Sequence, residues 1–171
     1  MSVIATINVG ANGATSLNGS SRGLSTPADR TAFLALHRSA GSYLLGYRSF
    51  IAEQYSPSQT PIIILTRGNR EIAGRDDVTL FKVEGDLKTS IPLLKEKFPQ
   101  PILVESGVTL LTELINAGCI EELYLNSTPI NGDGHFVDIE ELLQNFEIIS
   151  EELQDGTTLR KCRYKADAAN S

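Results

Sequence analysis

The sequence predicts an α/β fold: a mainly parallel sheet with helices on both faces, closed by an antiparallel hairpin. Three observations carry this. Strand-like and helix-like segments alternate almost throughout; the segments 61–65 and 101–105 are apolar or nearly so along their length; and the last two strand-like segments are joined by Asp155-Gly156. Alternation of this kind is the pattern of an α/β sheet, unbroken apolar strands are those covered on both faces, and Asp-Gly is the sequence of a two-residue hairpin turn.

Taken in order, residues 3–7 are rich in β-branched side chains and read as a strand. Residues 8–23 are too polar and too rich in glycine for regular structure, so a long loop follows. Ser25-Thr26-Pro27 supplies a helix N-cap with proline in the first turn, and Phe33, Leu34, Leu36 and His37 continue at helical spacing. Residues 43–45 form a short strand ending at Gly46, residues 61–65 a buried strand ending at Thr66-Arg67-Gly68, and residues 78–83 a further strand. A helix is expected over 86–98 with Pro92 near its start, then a buried strand over 101–105. The helix expected over 108–117 carries Leu110, Leu111, Leu114 and Ile115 on one face and has Gly118 in its C-terminal cap; the strand 122–128 completes a βαβ unit. Residues 146–153 and 157–164 are the hairpin. One domain, 1–165, with a disordered tail over 166–171, is the expected organisation.

The chain has 171 residues, with 15 Lys and Arg against 21 Asp and Glu, for a net charge of −6. Hydrophobic residues at 41% and charged residues at 21% place it among ordinary globular domains and exclude a disordered or collagenous chain. Its acidity argues against nucleic acid as a partner, because phosphate-backbone binding needs many cations on one surface. Cys119 and Cys162 lie far apart without zinc-finger spacing and read as free thiols of a reducing compartment. No apolar run approaches the roughly 20 residues of a membrane helix, and the first residues lack a basic leader, so a cytoplasmic protein is expected. No metal cluster is evident.

Ligands of open α/β sheets bind beyond the carboxyl ends of the strands, and three such ends hold suitable residues. Gly46, Arg48 and Ser49 form either a phosphate site at a helix start or a plain turn with a solvated arginine. Thr66 and Arg67 stand where a buried strand emerges, and a guanidinium there can grip a phosphate monoester or simply be hydrated. Glu105, Ser106, Gly107 and Thr109 precede or open a helix; Gly107 would admit a pyrophosphate, while Glu105 faces the cleft or caps the helix. GxGxxG and Walker-type loops are absent, and His37 and His135 accompany no nucleophile elbow, so each reads as structural or solvent-facing.

In their order, the motifs resemble the dihydrofolate-reductase-like reductases, specifically the reductase domain of riboflavin biosynthesis, which many bacteria fuse to a pyrimidine deaminase. The landmarks are Asn18-Gly-Ser-Ser-Arg22, Ser25-Thr-Pro-Ala-Asp-Arg30, Leu45-Gly-Tyr-Arg-Ser49, Val104-Glu-Ser-Gly-Val-Thr-Leu110 and Glu122-Leu-Tyr-Leu125. The resemblance covers nearly the whole chain and implies a single dihydrofolate-reductase-like domain that binds NADPH. On this likeness Gly46, Arg48 and Ser49 meet the cofactor phosphates, Thr66 and Arg67 the adenosine 2′-phosphate side, and Ser106, Gly107 and Thr109 the pyrophosphate. Asn12, Ser21, Arg22 and Glu105 face the substrate. The implied reaction reduces the ribosyl group of a 5-amino-6-ribosylaminouracil phosphate to ribityl by hydride transfer. A small-molecule substrate and a homodimer are implied as well, with neither nucleic acid nor membrane as partner.

Departures fall mostly among the family's substrate-facing positions. Its Ser-Leu-Asp-Gly is Gly10-Ala-Asn-Gly13, its Ala-Asp-Asp-Pro is Ala52-Glu-Gln-Tyr55, and the second glycine of its Val-Glu-Gly-Gly is Ser106. Two alternatives follow: a reductase of another small carbonyl, imine or pterin-like compound, and a non-catalytic nucleotide-binding relative.

Overall fold

A computed structural model describes residues 2–53 and 55–166; the tail expected over 166–171 lies, from 167 onward, outside the described residues. Eight strands are described: β1 (Val3–Val9), β2 (Ser42–Gly46), β3 (Ile62–Thr66), β4 (Val78–Lys82), β5 (Ile102–Val104), β6 (Glu122–Ser127), β7 (Phe146–Gln154) and β8 (Thr157–Tyr164). They form one sheet in the order β4-β3-β2-β5-β1-β6-β8-β7. Neighbours from β4 to β6 pair in parallel, β8 pairs antiparallel with both β6 and β7, and so β8 is the one described strand that runs against the others. The expected sheet and its closing hairpin are both present.

The hairpin turns on Asp155 and Gly156 at φ 50° and 80°, the paired left-handed geometry that makes Asp-Gly its favoured sequence. Helices α1 (Pro27–Ser39), α2 (Tyr47–Glu53), α3 (Leu87–Lys97), α4 (Val108–Asn116) and α5 (Ile139–Leu143) cover the sheet on both faces. Alternate strand residues divide between two cores. Ala5, Ile7, Leu44, Ile63, Val104 and Leu123 share one core with Ile91 and Leu94 of α3 and with Leu111 and Leu114 of α4. Ile4, Tyr43, Leu45, Ile62, Ile64 and Leu103 point the other way, against Phe50 of α2 and Leu36 of α1. The period of two along each strand thus separates the helix layers.

Each helix start has a local cause. Thr26 caps α1 by accepting from the Asp29 N–H, with Pro27 just inside, and Asp86 caps α3 by accepting from Thr89. Thr26 Oγ1 also lies 2.7 Å from Thr157 Oγ1, tying α1 to the hairpin.

Three elements differ from expectation. Pro92 is the sixth residue of α3 rather than near its start; it and Lys88, whose carbonyl it cannot reach with an N–H, both lie on the exposed face, where water can hydrate that carbonyl. The strand expected over 101–105 is regular only over Ile102–Val104, with Pro101 unable to donate and Glu105 turning toward the cleft, although the Glu105 N–H still bonds Leu44 O at 2.9 Å. Within the loop expected over 8–23, β1 continues to Val9 and a single 3₁₀ turn begins at Ser21. The short α5 had no sequence signal beyond Asp138, whose carboxylate accepts from Glu140 and Glu141.

Candidate active site

Because β1 to β6 run in one direction, their carboxyl ends share one edge of the sheet, and a cleft of about 1290 Å³ opens there. Pockets for small ligands usually hold roughly 300–1,000 Å³, so this one has room for two reactants. Strand order fixes its layout: Thr66 of β3 with Arg67 just after it, then Gly46 of β2, then Glu105 after β5, then Asn8 of β1.

Of the residues expected at the site, Gly46, Arg48, Ser49, Thr66, Arg67, Ser106, Gly107, Thr109, Ser21, Arg22 and Glu105 all line the cleft. Asn12 does not. Its Oδ1 accepts from the Gly132 N–H at 3.0 Å and its Nδ2 donates to Gly132 O at 2.9 Å, so it clasps two loops instead. The arginines are gathered: Arg22, Arg30, Arg48, Arg67 and Arg70 line the same cleft of an acidic chain.

At the β2–β3 end the surface is open and lined by arginines. Gly107 caps α4 without any side-chain hydrogen bond, and a Cβ placed there would meet nothing within 4 Å. The first N–H groups of α4 thus have no side-chain cap, and the positive end of the helix dipole lies behind them. Arg67 is well exposed and reaches Glu113 of α4 at 2.8 Å, and Arg70 stacks 5.0 Å over the Tyr47 ring.

At the centre, Glu105 is a buried carboxyl whose side chain is only 8% exposed. Burial, reinforced by the charge of Glu53, pushes its pKa up to about 7. His37 Nε2 stands 3.2 Å from Glu105 Oε1, yet that oxygen lacks the geometry of a hydrogen bond. The imidazole is held down in pKa by burial and by Arg30. His37 and His135 both line the cleft; His135 is solvent-facing there, while His37 is half-buried against Phe33 and Tyr43.

At the β1 end sits a residue that sequence reasoning missed. Asp29 is 2% exposed, and Asn8 and Ser25 donate to its Oδ2 at 2.6 and 2.8 Å while Asn126 donates to Oδ1 at 2.7 Å. The available signal was helical spacing: Asp29, Arg30, Phe33, Leu34 and His37 share the face of α1 that lines the cleft. Among the described residues no three His, Cys, Asp or Glu side chains are grouped to hold a metal ion, and no helix is long and apolar enough to cross a membrane.

No family model matches the chain. No curated protein matches it either. Solved structures do. A protein from Shewanella sp. PV-4, described by inference as a riboflavin biosynthesis protein, is 22% identical, with 96% of this chain and 99% of that one covered and a TM-score of 0.73. A diaminohydroxyphosphoribosylaminopyrimidine deaminase/5-amino-6-(5-phosphoribosylamino)uracil reductase from Thermotoga maritima is 14% identical, with 95% and 56% covered and a TM-score of 0.74. This chain thus spans little more than half of that bifunctional protein. Dihydrofolate reductase from Enterococcus faecalis, described as complexed with NADP(H), is 15% identical, with 96% of both chains covered and a TM-score of 0.69. The chain has the dihydrofolate-reductase-like fold, shared with proteins described as reductases.

Proposed function

We propose that the protein is an NADPH-dependent reductase of the riboflavin-biosynthesis type, acting on the ribosyl group of a 5-amino-6-ribosylaminouracil phosphate. The observation that carries this reading is the joining, in one cleft, of an uncapped helix N-terminus flanked by arginines and the buried carboxyl of Glu105. The residues present fit a phosphorylated dinucleotide: Ser106, Gly107 and Thr109 would hold its pyrophosphate, Gly46, Arg48 and Ser49 its neighbouring phosphate oxygens, and Thr66 and Arg67 the 2′-phosphate. When bound, the dihydronicotinamide supplies a hydride. The chain's own part is to orient the substrate with Ser21 and Arg22, exclude water around Glu105 and offer a proton from that carboxyl. In this reading the domain is residues 1–165 and works as a dimer in the cytoplasm.

A reductase of a different small C=N or C=O compound is the second reading. Glu53 favours it, since this single carboxylate, followed by Gln54, replaces the Asp-Asp pair of the riboflavin enzymes and bears electrostatically on Glu105.

Melting curves with NADPH and NADH test the cofactor, because a ligand that binds only the native state raises the melting temperature. A rise with NADPH is expected; no rise with either nucleotide rejects both readings. Growth of a riboflavin-requiring strain that lacks only the reductase then tests the substrate. Restored growth is expected, and failure with intact NADPH binding moves the assignment to the second reading.

A further inference from the structure

Hydrogen bonds around His37 fix where its ring carries hydrogen, and with it the surroundings of Glu105. The Tyr43 hydroxyl has a single hydrogen, which it donates to the His37 carbonyl oxygen at 2.9 Å. The same hydroxyl lies 2.9 Å from His37 Nδ1, and both contacts are satisfied together when Tyr43 accepts there and Nδ1 carries the hydrogen. A neutral imidazole with hydrogen on Nδ1 has a bare lone pair at Nε2. Nε2 stands 3.2 Å from Glu105 Oε1, and the oxygen is buried without a hydrogen-bond partner among the described residues. Two bare acceptors at this distance, one of them buried, repel each other; one proton between them turns repulsion into attraction.

We propose that Glu105 and His37 together store one proton, with His37 fixed in its Nδ1–H form by Tyr43, and that His37 is the positioning residue through which Glu105 is reprotonated after each turnover. The second half rests on the reductase reading; the first does not. The ring is held by stacking on Tyr43, 4.1 Å between centroids, and by Phe33 at 5.5 Å. Charged and titratable neighbours are Arg30 on α1, Glu53 on α2, Tyr55 beyond it and Tyr43 on β2. Arg30 disfavours charge on the imidazole and Glu53 disfavours charge on the carboxyl, so the stored proton resides mainly on Glu105. His37 is about one-third exposed, which connects this proton to water.

In turnover, the carbon of a C=N or C=O bond gains a hydride, two electrons and one hydrogen, from the reduced nicotinamide, which leaves oxidised. The heteroatom of that bond gains the Glu105 proton, and Glu105 is left as carboxylate. His37 then passes a proton from solvent through Nε2 to Oε1, restoring the pair.

Two-bond ¹H–¹⁵N NMR on the free protein reads the tautomer directly, and His37→Gln assigns the signals because the chain has only two histidines. Hydrogen on Nδ1 is expected, and Tyr43→Phe should shift the neutral ring toward Nε2–H. Carboxyl ¹³C titration of Glu105 should move to lower pH by about one unit in His37→Gln, because the amide N–H favours the carboxylate. An Nε2–H ring in the wild type, or an unmoved Glu105 midpoint, overturns the shared proton. With substrate, the alkaline limb of kcat should move to lower pH in His37→Gln at unchanged KM; a limb that stays in place overturns reprotonation through His37. Turnover of no substrate at all would reject the reductase reading and with it the reprotonation, while the NMR result would still decide the shared proton. Should His37→Gln fail to fold, Tyr43→Phe keeps the ring and supplies both readouts.

Discussion

The two ends of the cleft are built on opposite principles. Over β2, β3 and α4 the polar groups are solvated: Arg67 is 59% exposed, Gly107 leaves a helix N-terminus open, and the nearest carboxylate, Glu113, is itself at the surface. Over β1 and α1 they are buried and interlocked, with Asp29 taking three side-chain hydrogen bonds and Glu105 dry beside His37. Groups that stay hydrated cost little stability. Buried groups must be satisfied by the protein itself, and they set geometry and protonation before any ligand arrives.

On this contrast, substitutions at the buried end should be felt first in stability. Asp29→Leu leaves the Asn8 and Asn126 amides and the Ser25 hydroxyl without their acceptor, and should cost about 3–5 kcal/mol in denaturant unfolding. A loss below about 1 kcal/mol would mean that water already satisfies these donors and the two ends are alike.

Next comes the pH dependence of Glu105. Its native pKa, about 7, lies above the ordinary 4.5, so the native state binds the extra proton. Stability from this group is complete below pH 4.5, falls as pH rises toward 7, and is lost above it. Glu105→Gln should abolish that fall and leave the variant roughly 3 kcal/mol more stable than wild type at about pH 8. His37 acts in the opposite sense: its lowered pKa makes the native state resist protonation, so its contribution is lost as pH falls through and below 6.5. A stability difference between Glu105→Gln and wild type that does not change with pH would show that Glu105 is hydrated.

At the solvated end the effects should appear in binding. Arg67→Ala is expected to weaken NADPH about tenfold, ~1.4 kcal/mol, with NADH unaffected and stability nearly so. Equal losses for the two nucleotides would move the 2′-phosphate contact to Arg70 or Lys82, which line an adjoining hollow with Thr66. Smallest of all, Glu113→Ala removes an exposed ion pair and should change unfolding free energy by less than about 1 kcal/mol. Tighter NADPH binding in that variant would show that Glu113 competes with phosphate for Arg67.

The same contrast explains what could be read from sequence. Strand ends such as Thr66-Arg67 and Ser106-Gly107 were legible because short-range pattern places them: an apolar run stops, and a polar or glycine residue follows. The sheet, its hairpin and most helix limits were legible for similar reasons of periodicity and capping. Asp29 was not, because nothing local to Ser25-Thr-Pro-Ala-Asp29 reveals partners at positions 8 and 126. His37 looked like one more residue on an amphipathic face, and only the tertiary approach of α1 to Glu105 gives it a role. Asn12 is the converse case: the family resemblance placed it in a substrate-facing loop, while its hydrogen bonds run to Gly132.

The position of β1 in the sheet bears on how the molecule assembles. Both of its neighbours are distant in the chain: Val3 pairs with Ile102, and Ile4 with Glu122 as well as Leu103. During synthesis β1 emerges long before either partner, whereas β2, β3 and β4 can pair with one another as they appear. Closing such long loops carries an entropic cost that local pairing does not, and contacts of this range slow folding. The strand that comes first in sequence is thus among the last to gain its neighbours, and the β1 end of the cleft, Asn8 included, is completed only when residues beyond 122 are in place.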